Sequence, residues 1–255
     1  MSSRKPTLKQ RLCDGNPLYG AMTRLPEPRL VEILGYAGFD FIVIADEPGW
    51  VTWPDIDRMI VAALSADTTP FVRIDQNEPE RIRRALDLGA QGVVMQNCRT
   101  AADAQRFVNA ATRPAAAARG SGPGRGTQWG ATPDDEVTDR LDAKRVLQVL
   151  VEDAEGVRNI DDIVSVPGVD LVWVGSADLS VSYGVPGQSR HPKVLQAAST
   201  ILEAGRKKGV AVGCTADGTD EVKSAVAAGY RAIICGGPES YVMKYARSFL
   251  DALKK

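Results

Sequence analysis

Residues 146–180, VLQVLVEDAEGVRNIDDIVSVPGVDLVWVGSADLS, decide the fold. Two short apolar runs, Val146–Glu152 and Leu171–Gly175, flank an amphipathic stretch with helical spacing. Neither run alternates polar with apolar residues, as a strand with one wet face would. This is the pattern of parallel strands buried on both faces and joined by a crossover helix. Working outward, the unit recurs upstream at Leu18–Met22, Phe39–Ala45, Pro70–Ile74 and Gly92–Gln96, and downstream at Val210–Cys214 and Ala232–Cys235. Eight parallel units predict a closed (β/α)8 TIM barrel that takes residues 1–255 as one domain. Helix punctuation agrees with it. Pro54-Asp55 and Glu78-Pro79-Glu80 open helical stretches, and Gly38, Gly89, Gly209 and Gly229 stand where left-handed caps close them.

Composition narrows the function. Lys and Arg number 31 against 32 Asp and Glu, a formal net charge of −1, so the chain lacks the positive field of a nonspecific nucleic-acid binder. No apolar run approaches the roughly 20 residues that cross a bilayer, and the basic start MSSRKPTLKQRL has no apolar stretch behind it. A cytoplasmic address is expected. The four cysteines, Cys13, Cys98, Cys214 and Cys235, are dispersed and read as reduced thiols. A single histidine, His191, rules out any two-histidine scheme, and the segment Arg190-His-Pro-Lys reads as a helix start. Between Arg113 and Gly130, five glycines and spaced arginines predict a long lid-like loop.

A barrel of this kind places its chemistry at the carboxyl ends of the strands. Strand two ends at Asp46 and Glu47, strand three at Arg73, strand four at Gln96, strand five at Glu152, and strand six at Ser176 and Asp178. Glu152 and Asp178 follow almost wholly apolar segments, where an unpaired negative charge is costly to bury, so the pair calls for a cation. A hard divalent ion such as Mg²⁺ takes one or two carboxylates plus water and substrate oxygens, and a 2-oxo acid supplies two oxygens. Arg73 then suits a substrate carboxylate or an enolate oxygen. The alternative is that Glu152, Asp178 and Arg73 merely pair among themselves at the barrel rim.

At these residues the chain resembles the HpcH/HpaI family of metal-dependent class II pyruvate aldolases. The resemblance begins at LKQRLCDGNPLYGAM (8–22) and runs through LVEILGYAGFDFIVI (30–44) and PFVRIDQNEPERIRRALDLGAQGVV (70–94). It is most specific in VLQVLVEDAEGVRNIDDI and GVDLVWVGSADLS. It implies an eight-stranded barrel, homo-oligomers (hexamers or trimers) with exchanged terminal helices, and a carbon–carbon lyase that works on a 2-oxo acid through a metal-bound enolate. It also implies Glu152 and Asp178 as metal ligands, for Mg²⁺ or alternatively Mn²⁺ or Co²⁺. Backbone amides around Ser176 and Ala177 hold the substrate carboxylate, Arg73 assists the keto oxygen, and Asp87 and His191 match further family positions; Gln96, read from its strand end and not from the resemblance, is expected to contact the substrate.

The departures are specific. Ala45 and Pro48 occupy the places of the family's aspartate and general-base histidine, Gln96 that of a proline, and Leu150 that of a glutamine. Proline accepts no proton, which leaves Asp46 and Glu47 as candidate bases, with Trp50 and Trp53 nearby to lift their pKa. Decarboxylation of an oxaloacetate-like substrate needs no such base. Two alternatives follow: a binding protein that has lost turnover, and a synthase or cyclase of secondary metabolism.

Overall fold

The structure, a computed structural model, describes residues 6–46, 50–74, 77–112, 124–125, 128–131 and 143–254. Eight parallel strands close into a barrel in sequence order: β1 Leu18–Thr23, β2 Phe41–Ala45, β3 Thr69–Arg73, β4 Gly92–Met95, β5 Val146–Val151, β6 Leu171–Val174, β7 Ala211–Thr215 and β8 Ala232–Ile234. Each lies within two residues of its predicted run. The helices α1 Leu8–Cys13, α2 Pro28–Tyr36, α3 Trp53–Ser65, α4 Pro79–Asp87 and α5 Ala101–Ala111 belong to the first half. Those of the second half are α6 Ala154–Arg158, α7 Ile160–Ile163, α8 Ser176–Ser182, α9 Pro192–Lys208, α10 Thr219–Ala228 and α11 Pro238–Leu253.

Strand alternation sorts the apolar runs into two cores. Ile42, Ile44, Val72, Leu147, Val149, Val151, Val172 and Val174 point outward into the layer beneath the helices. Phe41, Val43, Phe71, Val146, Leu150, Leu171 and Trp173 point inward and pack with Leu8 and Leu12 of α1, which sits on the N-terminal end of the barrel. Because both faces of β2, β4, β5, β6 and β8 are buried throughout, the sequence shows continuous runs there rather than alternation.

The barrel interior is filled by a pairing rule. Gly20 lies in register with Phe41, Phe71 with Gly92, and Trp173 with Gly213. A Cβ on Gly20 or Gly92 would stand 2.3 Å from the neighbouring ring, and one on Gly213 2.4 Å from the indole. Glycine on one strand makes room for an aromatic ring on the next. The two phenyl rings meet at 5.3 Å between centroids.

The helix signals hold. Pro54 and Pro79 lie in the first turns of α3 and α4, and Thr52 caps α3 in a capping box with Asp55. Gly209 and Gly229 end α9 and α10 with φ of 70° and 108°, conformations an L side chain resists. Most of the predicted loop, residues 113–123 and 126–127, lies outside the described residues. Arg125 donates to Asp57 Oδ1 at 2.7 Å and to the Leu88 carbonyl at 2.9 Å, so this part of the loop is fastened to the helical layer.

Candidate active site

A cavity of about 360 Å³ opens at the C-terminal ends of the strands. Its lining brings together Arg73, Glu152, Ser176, Ala177 and Asp178, five of the residues singled out from the sequence. Strand parity explains the carboxylate and the guanidinium on the wall. Glu152 continues the inward series Val146, Leu150, and Arg73 continues the series from Phe71. Asp178 arrives from α8 because Gly175 lets the end of β6 pass close to β5. A Cβ at Gly175 would lie 2.5 Å from that of Glu152.

Glu152 is buried, with 5% exposure. Its Oε1 accepts the Asn97 N–H at 2.8 Å, and its Oε2 lies 3.9 Å from Arg73 Nη2. Asn97 takes the left-handed φ of 51°, which turns its N–H onto the carboxylate and which asparagine tolerates better than most residues. Burial pushes Glu152 up to about 7, and the Asp178 carboxylate hydrogen-bonded to it pushes the same way, while the Asn97 N–H and Arg73 hold it down. Two carboxylates at hydrogen-bonding distance cannot both ionise without a compensating charge. That is the donor set a hard divalent cation fits. Among the described residues no third His, Cys, Asp or Glu completes a cluster, so water and substrate oxygens would have to supply the remaining ligands.

Gln96 is placed behind the wall, and it is absent from the cavity lining. Its Oε1 accepts from Arg73 Nη2 at 3.0 Å, and its Nε2 donates to the Ile74 carbonyl. Asn77 clamps its backbone in turn, donating to the Gln96 carbonyl at 2.7 Å and accepting its N–H at 3.2 Å. Gln96 therefore orients Arg73 instead of facing a ligand.

Asp46, one of the two candidate bases, is buried outside the lining and accepts from Arg81 Nη2 at 2.5 Å. The apolar surroundings expected from Trp50 and Trp53 are not what it meets. Trp50 is exposed, and the Trp53 ring is covered by the guanidinium groups of Arg81 and Arg84 at 5.3 and 4.8 Å. The element that brings a guanidinium to Asp46 is α4, a tertiary neighbour that strand-end reading does not include. Glu47 and Pro48 lie outside the described residues. His191 is the N-cap of α9, its Nδ1 accepting the Lys193 N–H at 3.2 Å, in agreement with the helix-start reading. Asp87 closes α4 and is not in the lining.

Four polar lining residues, Arg24, Gln148, Ser189 and Thr215, were missed by the strand-end reading. Gln148 is inward by the same parity as Glu152. Arg24 follows β1, and the polar-residue rule used for strands two to six finds it once extended to strand one.

Residues 21–241 match the family described as HpcH/HpaI aldolase/citrate lyase. The chain belongs to this family. It is similar to a hydroxypyruvate/pyruvate aldolase of Roseobacter denitrificans, with 36% identity over 208 residues, 80% of this chain and 81% of the relative. It is 33% identical over 207 residues to a 4-hydroxy-2-oxo-heptane-1,7-dioate aldolase of Klebsiella pneumoniae, covering 80% and 77% of the two chains. The crystal structure of an HpcH/HpaI aldolase/citrate lyase family protein from Burkholderia cenocepacia superposes with a TM-score of 0.91 at 33% identity, covering 97% of this chain and 99% of that one. Membership and the barrel, both expected from the sequence, thus hold for this HpcH/HpaI chain.

Proposed function

We propose that this HpcH/HpaI protein is a metal-dependent carbon–carbon lyase of the aldolase type that acts on a 2-oxo acid. The observation that carries the reading is the Glu152–Asp178 carboxylate pair, set in an apolar cavity wall with Arg73 Nη2 3.9 Å from Glu152. Glu152 and Asp178 hold the divalent ion, with Mg²⁺ the first choice for two hard carboxylates. When bound, the ion polarises the substrate's keto group as a Lewis acid.

The chain's own groups do the rest. Arg73, kept in place by Gln96, offers its donors to the negative charge that builds on the keto oxygen as the carbon–carbon bond breaks. The backbone amides at Ser176 and Ala177 face the substrate carboxylate. Val43, Leu150 and Trp173 line the cavity with inward side chains and limit water around the reacting carbons. Asp46 is engaged by Arg81, which favours decarboxylation over steps that need a base to take a proton from a hydroxyl or a methyl group. The two named relatives make pyruvate, hydroxypyruvate and small aldehydes the first substrates to try. The reading includes a homo-oligomer built through α11, whose Val242, Met243, Tyr245 and Phe249 are each more than half exposed at 66%, 54%, 75% and 54%.

Purified protein with Mg²⁺ or Mn²⁺ is expected to decarboxylate oxaloacetate, and to join pyruvate or hydroxypyruvate to small aldehydes more slowly, because that second reaction needs a proton removed. Glu152→Gln is expected to lose both reactions. Metal-independent turnover, or full activity in Glu152→Gln, would overturn the assignment.

A further inference from the structure

The cavity has a second cationic wall that the reading above leaves unused. Arg24 directly follows β1, and β1 stands opposite β5 in the closed eight-stranded ring. Arg24 and Glu152 therefore face each other across the barrel mouth, and both line the same cavity.

The chain at Arg24 is held firmly. Its backbone N–H donates to Glu239 Oε1 at 2.8 Å, and the hydroxyl of the fully buried Thr23 reaches the same oxygen at 3.5 Å. Glu239, in the first turn of α11, thus uses that oxygen on the backbone. The Arg24 guanidinium makes no ion pair and no hydrogen bond among the described residues. Arg73, the other guanidinium in the lining, is engaged by Gln96 and lies near Glu152. A half-buried guanidinium with no protein acceptor keeps its planar donors open toward the cavity, and that fork suits a carboxylate or phosphate better than any other group. Thr215, at the end of β7, adds a hydroxyl to the lining.

We infer that Arg24 binds the anionic far end of the substrate. The preferred 2-oxo acid carries a second negative group, its keto-acid head at Glu152, Asp178 and Arg73 and its tail at Arg24. In the cleavage direction that tail leaves on the aldehyde fragment, so the matching acceptor is an aldehyde with an anionic tail. The inference rests on the proposed assignment of the head, and it extends that assignment to the other side of the mouth.

The test compares ligands with the same head and length. Calorimetry in Mg²⁺ is expected to show 2-oxoglutarate binding tighter than 2-oxovalerate by on the order of 10–100-fold, the range for a charge-assisted hydrogen-bonded pair. Arg24→Met is expected to abolish the gap while leaving 2-oxovalerate affinity unchanged, and Arg24→Lys to keep part of it, since a point charge replaces the fork. Tighter binding of 2-oxo-4-phosphonobutyrate than of 2-oxoglutarate would assign the tail as a phosphate, and weaker binding as a carboxylate; either supports the inference. Equal affinities in the native protein, equal weakening of both acids in Arg24→Met, or binding of neither acid overturns it. A preserved gap with no turnover of any 2-oxo acid would sink the lyase reading and leave Arg24 standing. Turnover without a gap would do the reverse.

Discussion

At the scale of single residues the chemistry concentrates on one shared proton. Glu152 is pushed up to about 7 by burial and by Asp178, so the metal-free protein keeps a proton on the pair at neutral pH and below. Metal binding has to displace it. Titration with Mn²⁺ is expected to give tighter binding at about pH 8 than at about pH 6, with buffer-dependent heat from the released proton; equal affinity and no proton release would contradict the arrangement. The linked stability has a definite sign. A carboxyl raised from 4.5 in the folded state favours folding at pH below its unfolded value, and that contribution is lost as pH rises through about 7. Glu152→Gln is expected to flatten this slope in metal-free unfolding curves, and to weaken Mn²⁺ binding by more than about 100-fold, because even outer partners of a ligand cost 10–100-fold. His191 makes the opposite case. Its Nδ1 caps α9, so His191→Ala is expected to cost about 0.5–1 kcal/mol of stability with kcat unchanged, as for other lost caps. A collapse of turnover at unchanged fold would reveal a role in catalysis.

At the scale of elements, the strands and helix boundaries are written locally. Pro79, the Thr52–Asp55 capping box and Gly209 each fix a boundary through their own backbone preferences, so they are legible one residue at a time. What a strand contacts is less legible. The pairing of Gly92 with Phe71 depends on register between two strands, and neither residue alone announces it. Gly92→Ala drives a methyl to within 2.3 Å of the Phe71 ring and is expected to destabilise the chain by about 1–3 kcal/mol, read from the urea midpoint, as for other overpacked cores. No measurable loss would mean that the interior can relax. The outer face of α11 carries the exposed Tyr245 and Phe249, stacked on each other at 6.3 Å. Replacing both by glutamate is expected to shift the sedimentation coefficient to a smaller species while leaving the helical signal intact. An unchanged coefficient would remove α11 from the subunit interface.

At the scale of the whole molecule, the sequence by itself determined the eight-unit barrel, the family, and the strand ends that carry Arg73, Glu152 and Asp178. The reason is that burial on both faces of a parallel strand stamps a continuous apolar run on the chain, and a charge that ends such a run stands out against it. Closure of the barrel then decided what those ends meet. It set Arg24 opposite Glu152, brought Arg81 from α4 onto Asp46, and turned Gln96 toward Arg73. These are contacts between residues far apart in the chain, and their energies depend on distances that only folding sets. A carboxylate at a strand end reads the same in sequence whether a guanidinium or a substrate will face it. The tertiary structure made that choice, tying up Asp46 and leaving the Glu152–Asp178 pair on the cavity wall.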